Sequence, residues 1–315
     1  MIIIGAGMAG LIAAHHFRAR RPVVFEQQDE LPNNHEALLR FRSMDVSKTT
    51  GINFRKMRVR KSIMFKGTYA DRANPFLANM YSLKVTGQVV GRSIWDMEDA
   101  DRYIAPPDFI SQAAAGLSIT YGKKLDRRDI TAGTENPLIS TIPMPAMMHL
   151  VGWPHVPEFS YQSIWSAQFE FQSPGVDVAQ TIYYPDLEVE YYRASISGRK
   201  MIIEFMAEPI GEDGLAKIIE SICMDFGIPE PQFAGRPTFK SHRYGKIIGI
   251  DEDHRKDFMY HLTREHNIYS LGRFATWRQI LLDDVVNDCS VIGKMIGAED
   301  SRSLYNHRLH QARAS

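Results

Sequence analysis

The chain has 315 residues, of which 44% are hydrophobic and 23% are charged. That composition excludes a disordered protein and a small disulfide-stapled module, and the length predicts about two globular domains. Thirty-seven Lys and Arg residues balance thirty-seven Asp and Glu residues, so a protein that binds nucleic acid through its overall charge is excluded and any basic surface must be local.

The first 26 residues predict a β-α-β unit. Ile2–Ile4 form a short apolar strand, and Gly5–Gly10 form the turn that follows it. Leu11–Arg21 then predict a helix, and Pro22–Phe25 a second strand that ends at Glu26. Two parallel strands joined by a helix are the unit of doubly wound domains, so the sequence predicts the α/β class.

Later segments return to the same domain, which is therefore discontinuous in sequence. They predict a helix over Pro107–Ala115, strands over Leu117–Tyr121, Pro137–Ile142 and Asn267–Leu271, and a last helix over Gln279–Ile296 that ends at Gly297.

A second layer lies between these segments. Thr181–Tyr184, Leu187–Ser195 and Lys200–Met206 alternate apolar with polar residues, which predicts an antiparallel sheet facing a substrate. Helices are predicted over Gly214–Phe226 and Arg255–His266. We expect residues 1–45, 105–150 and 265–300 to form the first domain, residues 46–104 and 151–264 the second, and residues 301–315 a frayed tail.

The sequence predicts a cytoplasmic protein without a metal or a membrane partner. Cys223 and Cys289 lack a second Cys or His at metal-site spacing, and two cysteines make no disulfide framework. No apolar run approaches the roughly 20 residues that span a bilayer. Ile2–Ile4 run directly into Gly5 without the features of a signal peptide.

Glycines at 5, 7 and 10 form G-x-G-x-x-G between the first strand and its helix, which predicts a dinucleotide site. The first glycine permits the tight turn, the second lets a pyrophosphate approach the backbone, and the third lets helix and strand pack closely. Glu26 ends the second strand, where a carboxylate accepts both ribose hydroxyls and repels a 2′-phosphate, so NADP is disfavoured. The contacting residues are Gly5, Ala6, Gly7, Met8, Ala9, Gly10 and Glu26. NAD and FAD both satisfy this pattern.

Two further motifs occur, one in Tyr269–Trp277 with Leu281–Asp284 and one in Ile139–Pro143. They resemble the amine oxidase and UDP-galactopyranose mutase superfamily of FAD proteins. Tyr269–Trp277, followed by Leu281–Asp284, resembles the strand that ends at Gly-Arg and the helix whose N-terminus faces the flavin. Ile139–Pro143 resembles the strand before the cofactor-covering turn. The resemblance implies a Rossmann-type FAD-binding domain with an antiparallel-sheet substrate domain, and it adds cofactor contacts at Gly272, Arg273, Leu281 and Leu282.

The chain departs from that superfamily after Glu26. The usual Arg and Gly-Gly pair are replaced by Gln27–Asn34. We expect Arg40 or Arg42 to hold the pyrophosphate instead, with a solvated helix face as the alternative.

A narrower resemblance rests on His35–Ser43, Ala78–Gly87 and Arg102–Pro107. These segments are similar to a group of bacteriophage-encoded FAD proteins that accompany thymine hypermodification, a protection from host restriction. The resemblance implies an FAD-dependent lyase that removes the carboxymethyl part of a glycyl-thymine base and leaves 5-aminomethyl-deoxyuridine. Modified double-stranded DNA is then the expected substrate.

Candidate catalytic residues are Lys246, which would reach the flavin through a water, and Arg273. Either Arg243 or Arg273 would hold a substrate carboxylate. For Lys246 the alternative is a surface residue at a strand end. The imidazoles of His149 and His242 are candidate bases or structural groups, and Trp153, Trp165 and Tyr183-Tyr184 either stack a base or belong to the core.

The window from Arg40 to Lys66 holds nine basic residues and one acid, Asp45, so it carries 9 − 1 = +8. Within it Arg55, Arg58 and Arg60 are expected to meet DNA phosphates from a strand face. The alternative is an edge strand that uses Lys and Arg to discourage pairing.

Four other functions stay open at this point. They are a sugar-nucleotide mutase, an oxidase of free small amines, a non-catalytic flavin- or DNA-binding protein, and an NAD-dependent dehydrogenase.

Overall fold

The computed structural model describes residues 1–31, 39–70, 72–89, 94, 97–131, 136–172, 179–209 and 211–314. The strands are β1 Ile2–Ile4, β2 Val23–Phe25, β3 Arg40–Phe41, β4 Arg55–Phe65, β5 Thr68–Ala70, β6 Ala100–Ile104, β7 Ser118–Thr120, β8 Leu138–Ser140, β9 Tyr161–Glu170, β10 Ala179–Tyr183, β11 Tyr191–Ser197, β12 Lys200–Phe205, β13 Thr238–Ile247 and β14 Ile268–Ser270. The helices are α1 Met8–His16, α2 Asp45–Thr50, α3 Pro75–Thr86, α4 Phe109–Ala114, α5 Arg127–Thr131, α6 Met144–Val151, α7 Glu212–Asp225, α8 Glu252–His266 and α9 Leu282–Ala314.

The first sheet is parallel throughout, in the order β14-β8-β1-β2-β7. Its inner strands β8, β1 and β2 are apolar, as is usual where helices cover both faces of a parallel sheet, whereas the edge strand β7 is Ser-Ile-Thr. In chain order the sheet reads 3-2-1-4-5 from β7, which is the doubly wound arrangement with its switch point between β1 and β8. The predicted α/β class and the return of the later segments to this sheet are confirmed.

The largest differences from the predicted helix boundaries lie at the ends of α1 and α9. α1 begins at Met8 and ends at His16, and a single 3-10 turn over Arg18–Arg20 replaces its expected last turn. There Arg21 adopts a left-handed conformation and Pro22 cannot extend a helix. At the other end of the chain α9 runs to Ala314, so the predicted end at Gly297 is wrong and the expected tail belongs to this helix. A single internal glycine costs a helix only about 1 kcal/mol.

The second sheet confirms the predicted antiparallel layer, because β10, β11 and β12 pair antiparallel, and a parallel pair makes the whole sheet mixed. In the described residues it has nine strands, eight of them in the order β13-β9-β12-β11-β10-β4-β6-β3, while β5 pairs with β4. Most neighbours are antiparallel, but β10 and β4 are parallel. The predicted strand over Leu187–Ser195 begins only at Tyr191.

Helices cover both faces of the second sheet. α7 packs on one face through Leu215, Ile219 and Ile222. α3 packs on the opposite face through Leu77 and Tyr81. In the described part of the chain no helix is long and apolar enough to cross a membrane.

Candidate active site

The carboxyl ends of four parallel strands meet at one edge of the first sheet. Gly5 follows β1, Glu26 follows β2, Thr141 follows β8 and Leu271 follows β14. Ligands of open α/β sheets bind in the crevice beside the switch point, here between β1 and β8. Fold topology therefore brings together the three segments that the sequence singled out for a cofactor.

Gly5, Gly7 and Gly10 are each required for a different physical reason. Gly5 has a φ of +96°, and a Cβ there would overlap the hydroxyl of Thr141. A Cβ on Gly10 would overlap the carbonyl oxygen of Gly5, so Gly10 permits the close packing of α1 on the loop. Gly7 has a φ of −70°, which any residue adopts, and a Cβ there would meet no described atom within 4 Å. Neither backbone conformation nor protein packing therefore requires a glycine at position 7, which leaves the approach of a ligand as its reason.

Glu26 is buried and faces the glycine loop. One carboxylate oxygen accepts the backbone N–H of Ala6 at 2.7 Å, and the other accepts that of Gln28 at 3.0 Å. These bonds hold the carboxylate beside the start of α1, whose first N–H groups have no partners within the helix.

The segment after β14 lies against this loop. Leu271 donates its N–H to the carbonyl of Ser140 at 2.9 Å, which extends the pairing of β14 with β8 by one residue. Gly272 has a φ of +90°, and a Cβ there would lie 2.9 Å from that of Ala9 in α1. Only glycine fits so close to α1, so Gly272 belongs to the same site as the loop.

The first turn of α9 is joined to the segment after β3. The N–H groups of Arg42 and Ser43 each donate to Asp283 at 2.9 Å. Asp284 accepts the N–H of Leu281 at 2.7 Å and lies 3.4 Å from the Arg42 guanidinium. Carboxylates in a first helical turn stabilise it. Arg42, Leu281 and Leu282 thus lie together at the start of α9, and their predicted contacts with a cofactor stay predictions.

Arg40 contacts the second sheet. Its guanidinium donates to the hydroxyl of Thr181 at 2.6 Å and to the carbonyls of Gln180 and Ile196. Burial, together with the charge of Arg193, lowers the pKa of Arg40 to about 10. Its proposed role at a pyrophosphate is untested, and residues 35–38 of the adjoining segment lie outside the described residues.

A cavity of about 140 Å³ lies between α3, the second sheet and the segment that leads into α9. Its walls are polar and aromatic, and they include Tyr81, Thr86, Tyr183, Arg193, Lys246 and Gln279. Convergent polar groups of this kind fix the orientation of a substrate in ligand pockets.

Two residues of the cavity wall, Arg193 and Lys246, belong to a buried cluster of ionisable groups beside the cavity. Glu204 accepts the Tyr192 hydroxyl at 2.7 Å and forms a bidentate ion pair with Arg193. The ammonium of Lys246 lies 4.5 Å from the centre of the Tyr192 ring. Two cations face one carboxylate, so the cluster of these four residues carries a net charge of +1.

The charges of this cluster perturb its titration. Burial alone would raise the pKa of Glu204, but the charges of Arg193 and Lys246 and the hydrogen bonds from Arg193 and Tyr192 lower it to about 2. Burial and the neighbouring carboxylate raise the pKa of Tyr192 well above its ordinary value. At neutral pH Glu204 is therefore a carboxylate and Tyr192 a neutral hydroxyl. Strongly perturbed groups in a cavity favour a functional site.

Sequence reasoning found Lys246 but missed Tyr192, Arg193 and Glu204. Strict alternation places Tyr192 and Arg193 on opposite faces of a strand. In the structure the register of β11 against β12 shifts between Tyr191 and Arg193, which brings both side chains to Glu204. A β-bulge of this kind leaves no local signal in a sequence of alternating residues.

The other predicted substrate residues are scattered. Arg273 donates to the carbonyl of Gly245 at 3.4 Å, whereas Arg243 is exposed and stacks on Tyr161 and Tyr244. The hydroxyl of Ser166 lies 3.0 Å from His242.

Among the other predicted residues, Tyr183 lines the cavity. Trp153 packs on Phe258 and His261, Trp165 packs against the core under α7, and Tyr184 donates to Asp225 at 3.0 Å. His149 is exposed on α6.

The basic strand β4 lies inside the second sheet, between β10 and β6, so the edge-strand interpretation is wrong. Met57 and Val59 are buried, and the β4 arginines Arg55, Arg58 and Arg60 are exposed. Asp101 on β6 pairs with Lys56 at 2.8 Å and with Arg58 at 3.4 Å. The surface is thus accessible, but one carboxylate neutralises part of its charge.

No protein-family model and no curated protein sequence matches the chain. Solved structures match it over nearly its whole length. A reduced UDP-galactopyranose mutase has a TM-score of 0.68 and 13% identity, covering 94% of this chain and 93% of that one. A CLA-producing fatty acid isomerase from P. acnes has a TM-score of 0.58 and 11% identity over 93% and 97%. A flavoprotein/dehydrogenase from Cytophaga hutchinsonii has a TM-score of 0.53 and 13% identity, covering 94% of this chain and 78% of that one. The chain has the α/β fold of these proteins.

Proposed function

We propose that this protein is an FAD-dependent flavoenzyme whose active site is the cavity between α3, the second sheet and the segment that leads into α9. The observation that carries the proposal is the open position of Gly7 at the switch point, with the Glu26 carboxylate facing the same loop. That arrangement suits a pyrophosphate on the loop and a ribose at Glu26. Fold likeness to a flavoprotein/dehydrogenase and to a reduced UDP-galactopyranose mutase favours FAD over NAD.

The residues present fit the cofactor. Gly5–Gly10 and Glu26 would hold its ADP part, while Gly272, Arg273 and the start of α9 at Leu281 and Leu282 would hold its flavin part. When bound, FAD supplies a two-electron acceptor for a C–H bond next to nitrogen.

The cluster beside the cavity fits an anionic substrate. Arg193 and Lys246 outnumber the single carboxylate of Glu204, and each is a strong partner for a carboxylate when water is excluded. Glu204 keeps Arg193 oriented through two hydrogen bonds, so the guanidinium is preorganised. A volume of about 140 Å³ accommodates a small acid such as an N-substituted glycine, with the rest of the substrate outside the cavity.

The finer proposal is the lyase reaction on a glycyl-thymine base in phage DNA. Oxidation of the N–Cα–H unit of the glycine gives an imine, and addition of water splits it into 5-aminomethyl-deoxyuridine and glyoxylate. This oxidation would need bound FAD as its two-electron acceptor and an external oxidant for each further turnover. In this reaction Arg193 and Lys246 bind the glycine carboxylate. The β4 arginines contact DNA phosphates, and the target base leaves the duplex at a cost of a few kcal/mol.

A second candidate is a mutase acting on a sugar nucleotide. It is favoured by the likeness to the reduced UDP-galactopyranose mutase, at a TM-score of 0.68 over 93% of that chain. A diphosphate is also an anion, so the cation-rich wall at Arg193 and Lys246 serves this reaction as well.

The deciding experiment records the visible absorption spectrum of the purified protein anaerobically, before and after adding DNA that carries glycyl-thymine. Oxidised flavin that bleaches on addition, with glyoxylate released, supports the lyase. Flavin that bleaches only with dithionite, in a protein that then converts UDP-galactopyranose, supports the mutase. A colourless protein that fails to bind added FAD contradicts both.

A further inference from the structure

β13 contains an irregularity where it approaches the cavity. His242 pairs with Ile164 of β9, but the next pair is Lys246 with Gln162. Three residues of β13 therefore stand opposite the single residue Ser163. A regular strand would place Lys246 two residues further along β9, which is roughly 7 Å at about 3.4 Å per residue. The bulge thus moves Lys246 back along the sheet.

The bulge depends on a glycine for reasons of space. A Cβ on Gly245 would overlap Cγ1 of Ile164 and lie 2.8 Å from its Cγ2. Ile164 is itself buried in the core beneath α3, beside Tyr192. Because Ile164 and Tyr192 are packed in this core, Ile164 cannot move aside. A larger residue at position 245 must therefore displace the strand that carries Lys246.

The cofactor-side segment holds the same stretch of β13 by its carbonyls. Arg273 donates to the carbonyl of Gly245 at 3.4 Å, Trp277 to that of Ile248 at 2.8 Å and Gln279 to that of Ile247 at 3.1 Å. These bonds flank Lys246 on both sides. The position of its ammonium is thereby tied to the loop that runs from Gly272 to α9.

We propose that Gly245 is a positioning residue, whose bulge, held by Arg273, sets the ammonium of Lys246 against Tyr192 and Glu204 in the cavity. The proposal rests on the proposed function for the statement that this cavity is the active site. Bulges next to active sites commonly re-aim one side chain, and an error of 1 Å in such a group costs on the order of 10²-fold in rate.

The first test measures Lys246 directly, without cofactor turnover. The rate at which acetic anhydride acetylates Lys246 is followed by peptide mass spectrometry in the purified full-length protein. Gly245→Ala should raise that rate several-fold because Lys246 leaves its buried place. Gly245→Ala combined with Ile164→Ala, which removes the overlapping atoms, should restore protection. Gly198→Ala is the control, because this turn glycine lies in the same sheet with a φ of +57° and no described atom near its Cβ.

The second test asks whether Gly245 acts through Lys246. The rate of substrate-dependent flavin bleaching is compared in Gly245→Ala, Lys246→Met and the double variant. Gly245→Ala should lower the rate roughly 10²-fold, and it should have no further effect in the Lys246→Met background. Additive losses, or unchanged acetylation of Lys246 in folded Gly245→Ala, would overturn the proposal. If only the proposed function is wrong, Gly245→Ala will still speed the acetylation of Lys246 and Ile164→Ala will still restore its protection, but the protein will bind no flavin.

Discussion

Replacement of Gly7 by valine is expected to separate cofactor binding from folding. Its φ of −70° and ψ of 174° suit a β-branched residue, and the added side chain begins in open space. At the N-cap of α1 the loss of glycine costs about 0.5–1 kcal/mol. Valine also lowers the conformational entropy of the unfolded chain, which stabilises the folded protein by about 0.4–1 kcal/mol. The two effects nearly cancel, so Tm should change by no more than about 2 °C.

The effect on FAD should be large. A valine side chain occupies the space through which a pyrophosphate approaches the loop, so charge-assisted hydrogen bonds from the backbone are lost. Two such bonds at about 1.5–3 kcal/mol each give roughly 3–6 kcal/mol, or a 10²- to 10⁴-fold weaker Kd. FAD retention after gel filtration and titration calorimetry of the apoprotein measure this loss.

The matched control is Gly10→Ala, which adds one methyl group to the same loop. Its Cβ would overlap the carbonyl oxygen of Gly5, so this variant should lose stability in thermal unfolding. A Gly7→Val protein that purifies with a full complement of FAD and binds it with unchanged Kd would refute the assignment of the loop.

Three further results are expected. Charge reversal at the β4 arginines should weaken DNA binding and flatten its dependence on salt while FAD stays bound. The same reversal at the exposed arginines of Arg18–Arg21 should leave DNA binding unchanged. Equal losses of DNA affinity in the two variants would contradict a DNA surface on β4. The pKa of Glu204, about 2 in the folded protein against 4.5 unfolded, contributes stability above pH 4.5 that is lost as the pH falls towards 2. Urea unfolding should show that the wild type loses about 3 kcal/mol more than Glu204→Gln over this range. Burial lowers the pKa of Lys84 from 10.5 to about 8, although the charge of Asp186 opposes this shift. Between pH 8 and 10.5 the unfolded chain therefore binds more protons than the folded protein, and wild-type stability should rise relative to that of Lys84→Met. Parallel pH profiles of the two proteins would contradict the shift.

Short-range patterns were sufficient to predict the cofactor side of the molecule. The spacing of Gly5, Gly7 and Gly10 defines a strand, a turn and a helix within a dozen residues, and Glu26 follows at the end of the next strand. Their relative positions follow from the geometry of one β-α-β unit, in which neighbouring elements pack on each other. The resemblance to the FAD superfamily placed Gly272 after a strand, and the structure shows that this strand, β14, is parallel to β8.

Only the tertiary structure decided the composition of the charged cluster beside the cavity. Tyr192, Arg193 and Glu204 come from two strands whose pairing shifts at a bulge, and Lys246 reaches them because a second bulge displaces it by two residues. Whether an alternating strand contains such a bulge depends on what its neighbours leave room for, as Ile164 does opposite Gly245. That information lies in contacts between residues far apart in the chain. The local sequence therefore determined where the candidate dinucleotide site lies, and long-range packing determined which charged groups meet beside the cavity.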